Sequence, residues 1–361
     1  MKLLIGYLLL FCSVIYANTG DDILKNYQSK LFMLPLIQQE HFSSRMYAIT
    51  GDQQYLNPVV IYLFILSAKF KSLVMNLDNE VMISDENDKL LFINDFDTEK
   101  KKIRMKKISQ YKRTAFYLNF LILLKKIYFY KLEKTALFPN IENGKLYLKS
   151  RISDFEEFLL DKENIQIYGA QLINNIYYLY DLEIVDLRSR FTTEFKNTFP
   201  DSEDNTLSTA AYTSKIYSMT HFIIAASNYY QEKPDSQAFN WIIDYFEKNI
   251  DEIIRRTEND IIVEVGVSFM LVDKGNSSAV TKIKAYLSKV YSPKFKMIPS
   301  KEMASQFDLI KGEHRNILAI MLFKWPKKLT PITSSTLLDL LSRDFALNET
   351  NMEVNYKFNM I

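Results

Sequence analysis

One cysteine, eight glycines and nine prolines are few for a chain of 361 residues. Scarce glycine and proline leave little material for the many tight turns of an all-β fold and favour long helices. The single cysteine, Cys12, falls in an N-terminal apolar run. Only three histidines are present, so any imidazole chemistry belongs to His41, His221 or His314. Charge of one sign is also missing. Lys and Arg number 45 against 43 Asp and Glu, a net charge of +2, so there is no electrostatic footprint for nucleic acid. A hydrophobic content of 48% excludes a disordered chain.

Met1–Ala17 reads as a secretory signal peptide. Lys2 supplies the positive start, Leu3–Tyr16 is apolar except at Gly6 and Ser13, and Ala17 is a cleavage residue. The run is shorter than the roughly 20 residues of a membrane span, and no positively charged stop follows it. Phe11 stands before Cys12, where a lipoprotein signal needs a small residue, which argues against lipid attachment. The expectation is an exported protein, periplasmic or secreted, whose mature form has no cysteine. It would then lack disulfides, thiolate metal sites and a cysteine nucleophile. Val59–Phe70 is apolar but carries Lys69 and is followed by Lys71, and Ala115–Leu132 has Lys125 and Lys126 near its centre. Charge there is costly in lipid, so no integral membrane segment is expected after cleavage.

What is present is a succession of paired helical patterns. In Glu40–Leu73, Phe42, Met46 and Ile49 share a helix face, Thr50-Gly51-Asp52 gives a stop and a cap, and Pro58 opens a second helix. Similar pairs follow: Thr220–Tyr230 with Gln237–Ile254, Ile261–Val272 with Ser278–Val290, and Glu313–Phe323 with Ser334–Phe345. Tyr111–Leu132 precedes Ile152–Leu160 across a loop containing Asn143-Gly144, and Gly169–Leu182 precedes Val185–Phe195. Asp78–Lys107 reads as an inserted excursion whose basic run is a solvated helix face. First helices near residues 41, 111, 169, 221, 261 and 313 predict an all-α fold. The expected architecture is one domain, 18–361, of six helical hairpins closed into an (α/α)6 toroid. An open superhelix satisfies the same pattern; the more apolar first helices favour an inner ring.

His41–Leu56, "HFSSRMYAITGDQQYL", resembles the helix–TGD–x–x–Y–L turns of α/α-toroid proteins, many of them carbohydrate-active. Tyr217-Ser218-Met219-Thr220-His221 with Ser227-Asn228-Tyr229-Tyr230, and also Glu264-Val265-Gly266 and Glu313-His314-Arg315, are similar to an uncharacterised family of exported bacterial proteins carrying a domain of unknown function. The resemblance implies a helical toroid and export. It brings no established activity.

Polar residues gather where inner helices are expected to start: Glu40, His41 and Arg45; Thr220 and His221; Glu264; Glu313, His314, Arg315 and Asn316. Converging on one end of a ring, they would form a pocket at the toroid mouth. Helix capping alone would also explain each acidic residue or threonine singly. Glu264 and Glu313 are candidate acid and base for glycoside hydrolysis. His221 with Tyr217 or Tyr229 is a candidate proton-abstracting pair, as a polysaccharide lyase requires. His41, Arg45, Tyr217, Tyr229, His314 and Arg315 are the candidate substrate-binding residues. No His-x-x-x-His pairing, GxxxxGK[ST], GxGxxG or GxSxG occurs, so no metal site and no cofactor are expected. Asn276-Ser277-Ser278 and Asn348-Glu349-Thr350 match glycosylation sequons by chance frequency alone. Two functions stay open: a glycan-active or glycan-binding protein with an oligosaccharide ligand, and a non-catalytic helical module with a protein partner.

Overall fold

Helices that are apolar all round sit inside a protein, and helices with one apolar stripe cover them. In the computed structural model, which describes residues 19–92, 99–302 and 307–345, both kinds are present. The signal-peptide segment 1–17 and Asn348–Thr350 lie outside the described residues.

The helices are α1 (19–29), α2 (Leu36–Thr50), α3 (Asn57–Val74), α4 (Glu80–Phe92), α5 (Glu99–Ile108), α6 (Thr114–Phe129), α7 (Ile141–Ser150), α8 (Ile152–Leu160), α9 (Lys162–Asp181), α10 (Arg188–Thr198), α11 (Thr209–Ala226), α12 (Asn240–Arg256), α13 (Asn259–Leu271), α14 (Ser278–Val290), α15 (Glu313–Phe323) and α16 (Ser334–Phe345). Among the described residues no strand forms; Ser292 and Met297 make an isolated antiparallel bridge. The protein is all-α.

Nearly every residue of α13 and α15 is buried, whereas α12 buries only Ile242, Ile243, Tyr245, Phe246, Ile250 and Ile253. The interior helices are neighbours in the order α6, α9, α11, α13, α15, α2. Between α6 and α2, Lys126 and Tyr130 both bond to Glu40. Outside them, α3 packs on α2, α7 and α8 on α6, α10 on α9, α12 on α11 and α14 on α13. One hydrophobic cluster runs from Ile23 to Leu341.

Local signals explain several boundaries. Gly51 ends α2 in the left-handed region at φ 71°, which favours a residue without a Cβ. Asp52 accepts from Gln54 N, and Pro58 sits in the first turn of α3. α3 with its preceding turn, Gln53–Val74, is long and apolar enough to cross a membrane by length and composition; half of it is buried against protein, and it packs on α2 and α16.

Three expectations change. Asn143-Gly144 lies inside α7 rather than in a loop, and a Cβ at Gly144 would come within 3.1 Å of Phe120 and 3.2 Å of Leu124. A glycine there lets two helices approach closely. Helix α11 starts at Thr209, capped by Ser208, not near Thr220. The excursion 78–107 folds as α4 and α5 and is fastened to the body. Asn87 Oδ1 accepts from Phe116 N at 3.2 Å, and Arg104 donates to Ile167 O at 2.9 Å. Of the basic run, Lys101, Lys102 and Lys106 are exposed, as a solvated face requires.

Candidate functional site

All three histidines converge on one cluster. His41 lies in the second turn of α2, His314 at the start of α15, and His221 three turns into α11. The rings of His41 and His314 are 5.4 Å apart. His41 Nδ1 is 2.7 Å from Glu313 Oε1. His314 Nε2 is 2.9 Å from Glu264 Oε1, and His221 Nε2 is 3.8 Å from Glu264 Oε2. Thr220 donates its hydroxyl to Glu264 Oε2 at 2.6 Å. Tyr217 stands edge-on to His221 at 4.6 Å. These residues are brought together, but not because each begins a helix: Thr220 and His221 lie about two-thirds of the way along theirs.

The layering decides the roles. The Glu264 and Glu313 side chains are 1% and 4% exposed, whereas those of His41 and His314 are 20% and 46% exposed. The carboxylates lie behind, and two imidazoles stand in front of them. Burial works against a charge on either member of the Glu264–His314 pair. The hydrogen bond between them, with the His314 charge and the Thr220 hydroxyl, nevertheless holds Glu264 below the usual carboxylate range. For His314 the same bond and the Glu264 charge outweigh burial and hold the imidazolium above its ordinary range. The other pair is opposite. Burial pushes the Glu313 carboxyl up to about 7, and burial with the Arg45 charge pushes His41 well down. Neighbouring pairs are thus an ion pair and, below about pH 7, a neutral pair, the separation of proton affinities on which acid–base sites are built.

His221 is 9% exposed and held neutral by burial. With Asn174 Oδ1 2.9 Å from its Nδ1, the ring proton is assigned to Nδ1. Its Nε2 is buried with no hydrogen-bond partner. Asn174, on α9, is a site residue that the sequence did not single out.

Beside this cluster lies a cavity of about 420 Å³ lined by Ile37, Arg45, Tyr62, Lys126, Tyr178 and Tyr229, among others. Ile37 and Arg45 line it, and His41 stands between them on the same face of α2; the three histidines and their carboxylates are not part of its wall. Tyr178 donates to the Tyr229 hydroxyl at 2.6 Å. Tyr229 therefore belongs to the cavity wall, and Tyr217 to His221. Arg315 takes no part in the cluster. It donates from Nε to Ile298 O at 2.9 Å and sits 3.5 Å from Asp260, pinning the segment before α15. One position beyond His314 on a helix, it points elsewhere. Lys126 and Tyr130 on Glu40 were also not anticipated as site residues. The available signal was a lysine pair inside the apolar run of α6, where an ion must find a partner.

Among the described residues no group of three or more His, Cys, Asp or Glu side chains has the geometry to hold a metal ion. His41 and His314 each turn to a carboxylate and His221 to the Asn174 amide, rather than to a common point.

Residues 16–337 match the family described as Domain of unknown function (DUF3541). The chain belongs to this family. No curated protein and no solved structure matches it. The DUF3541 span includes His41, His221, Glu264, Glu313 and His314, and all six interior helices.

Proposed function

We propose that this DUF3541 protein binds an oligosaccharide in the aromatic-lined cavity and cleaves it by acid–base chemistry. The observation that carries the reading is the pair of accessible histidines, each backed by a buried carboxylate and tuned in opposite directions. In this reading His314, kept protonated by Glu264, gives a proton to the leaving glycosidic oxygen. His41 takes a proton from water or from a sugar ring carbon, which separates hydrolysis from elimination by the product formed. Glu313 controls His41. Protonated, its carboxyl donates to Nδ1 and leaves the imidazole proton on Nε2. Ionised, it accepts from Nδ1–H and frees Nε2 as a base. His221, with a bare Nε2, supplies a second acceptor.

Two titrations then bound the activity. Cleavage is expected to rise as pH passes through about 7, where Glu313 ionises, and to fall when His314 loses its proton above its ordinary range. A pH–rate profile on oligosaccharides, with product analysis by mass, checks this. Turnover with an ascending limb near pH 7 that vanishes in Glu313→Gln supports the reading. Absence of both binding and turnover over a panel of neutral and acidic glycans overturns it.

We also propose that the interior helices close into an (α/α)6 toroid within one domain. The Lys126–Glu40 contact between α6 and α2 supports closure. Export is proposed from Lys2 and the apolar run Leu3–Tyr16.

A further inference from the structure

The cavity has one more buried positive charge than its carboxylates compensate. Lys126 is bound to Glu40 at 2.9 Å, and Lys125 to Asp181 at 2.5 Å. Arg45, 7% exposed, has no carboxylate within ion-pair distance among the described residues. Its Nη1 donates to Ser44 Oγ at 2.8 Å, its guanidinium lies 5.5 Å from the centre of the Tyr230 ring, and its Nε is buried without an acceptor. An aromatic face compensates a cation only partly. A buried guanidinium without an anion is costly, and its planar Nε edge matches two oxygens of one oxyanion. Lys69, at the exposed rim of the same cavity, adds positive charge to the approach.

We propose that Arg45 is the binding site for an oxyanion carried by the saccharide, a carboxylate or a sulfate ester, so that the substrate class is acidic glycans. This rests on the glycan reading above and deepens it. The arrangement explains why Arg45 sits one helical turn from His41: the anion, once bound, fixes the sugar ring beside the accessible imidazoles. It also supplies a reason for the two neighbouring lysines to be neutralised by Glu40 and Asp181, since that leaves one cation, not three, to choose the ligand.

The test is calorimetric binding of the full chain to oligosaccharides of equal length: a polyuronate, its methyl ester, a neutral glycan and the sulfated form of that glycan. One anionic member is expected to bind about 10- to 100-fold more tightly than its uncharged counterpart. Arg45→Gln is expected to erase that difference. Arg45→Lys keeps the charge without the fork, and is expected to lose most of the preference while the histidine spectrum stays native, which separates recognition from unfolding. Which of the polyuronate and sulfated arms shows the effect identifies the oxyanion. Binding of neutral and acidic glycans with equal affinity overturns the proposal and leaves the glycan reading standing. Binding of none overturns both.

Discussion

Glu264→Gln is expected to lower saccharide turnover by about 10²- to 10⁴-fold. The substitution keeps the shape and the Thr220 contact but removes the charge that holds the His314 imidazolium. His314 then has only the weaker Asp260 and Glu313 charges to set against burial, so its proton affinity falls and the acid is weakened. Stability changes as well. Glu264, held below its ordinary 4.5, adds stability that is present above that value and lost as pH falls through its folded value. His314, held above its ordinary 6.5, adds stability that is present below that value and lost as pH rises through its folded value. Both contributions are whole between 4.5 and 6.5, and this is the window in which urea titration is expected to find the largest loss. The loss should lie below the about 3–5 kcal/mol of a fully buried broken pair, because His314, half exposed, sheds its proton. Full turnover in Glu264→Gln would remove His314 from the chemistry.

Glu40→Ala is expected to cost about 3–5 kcal/mol. The Glu40 side chain is 2% exposed and receives Lys126 Nζ at 2.9 and 3.0 Å and the Tyr130 hydroxyl. Alanine would leave an ammonium and a phenol without their acceptor at the contact between α2 and α6. Lys126, a quarter exposed, turns in part toward the cavity, which sets the result toward the lower figure. Adding Lys126→Met should restore part of the stability, since the uncompensated charge leaves with it. A denaturation midpoint unchanged by Glu40→Ala would mean that this contact does not hold the two helices. Lys126→Met alone should weaken acidic-glycan binding, because Glu40, freed of its lysine, then competes for Arg45.

The helical frame was largely legible. Ile152–Leu160, Ser278–Val290, Glu313–Phe323 and Ser334–Phe345 form as their periodicity dictates, because each presents a clear apolar spacing between stop signals. Where tertiary packing overrode local signals, the reading failed. Asn143-Gly144 has turn chemistry, yet Gly144 is there to admit Phe120 and Leu124. α11 ends at Ala226, and Asn228, Tyr229 and Tyr230 follow at positive φ, which no glycine announced. Of the site, three histidines in 361 residues were easy to single out. Their partners were not, because His41–Glu313 and His314–Glu264 join residues 272 and 50 positions apart. Which carboxylate stands behind which imidazole depends on helix rotation, and periodicity leaves that undetermined in a helix buried on every side. Lys125 and Lys126 argued only against a membrane span until Asp181 and Glu40 were seen against them.

The central claim is that one buried cluster drives its histidines apart in proton affinity. A pH titration of the three imidazoles by nuclear magnetic resonance measures this directly, without a substrate. His314 is expected to titrate above 6.5, His221 below it and His41 well below it. Three imidazoles titrating together near 6.5 would contradict the account.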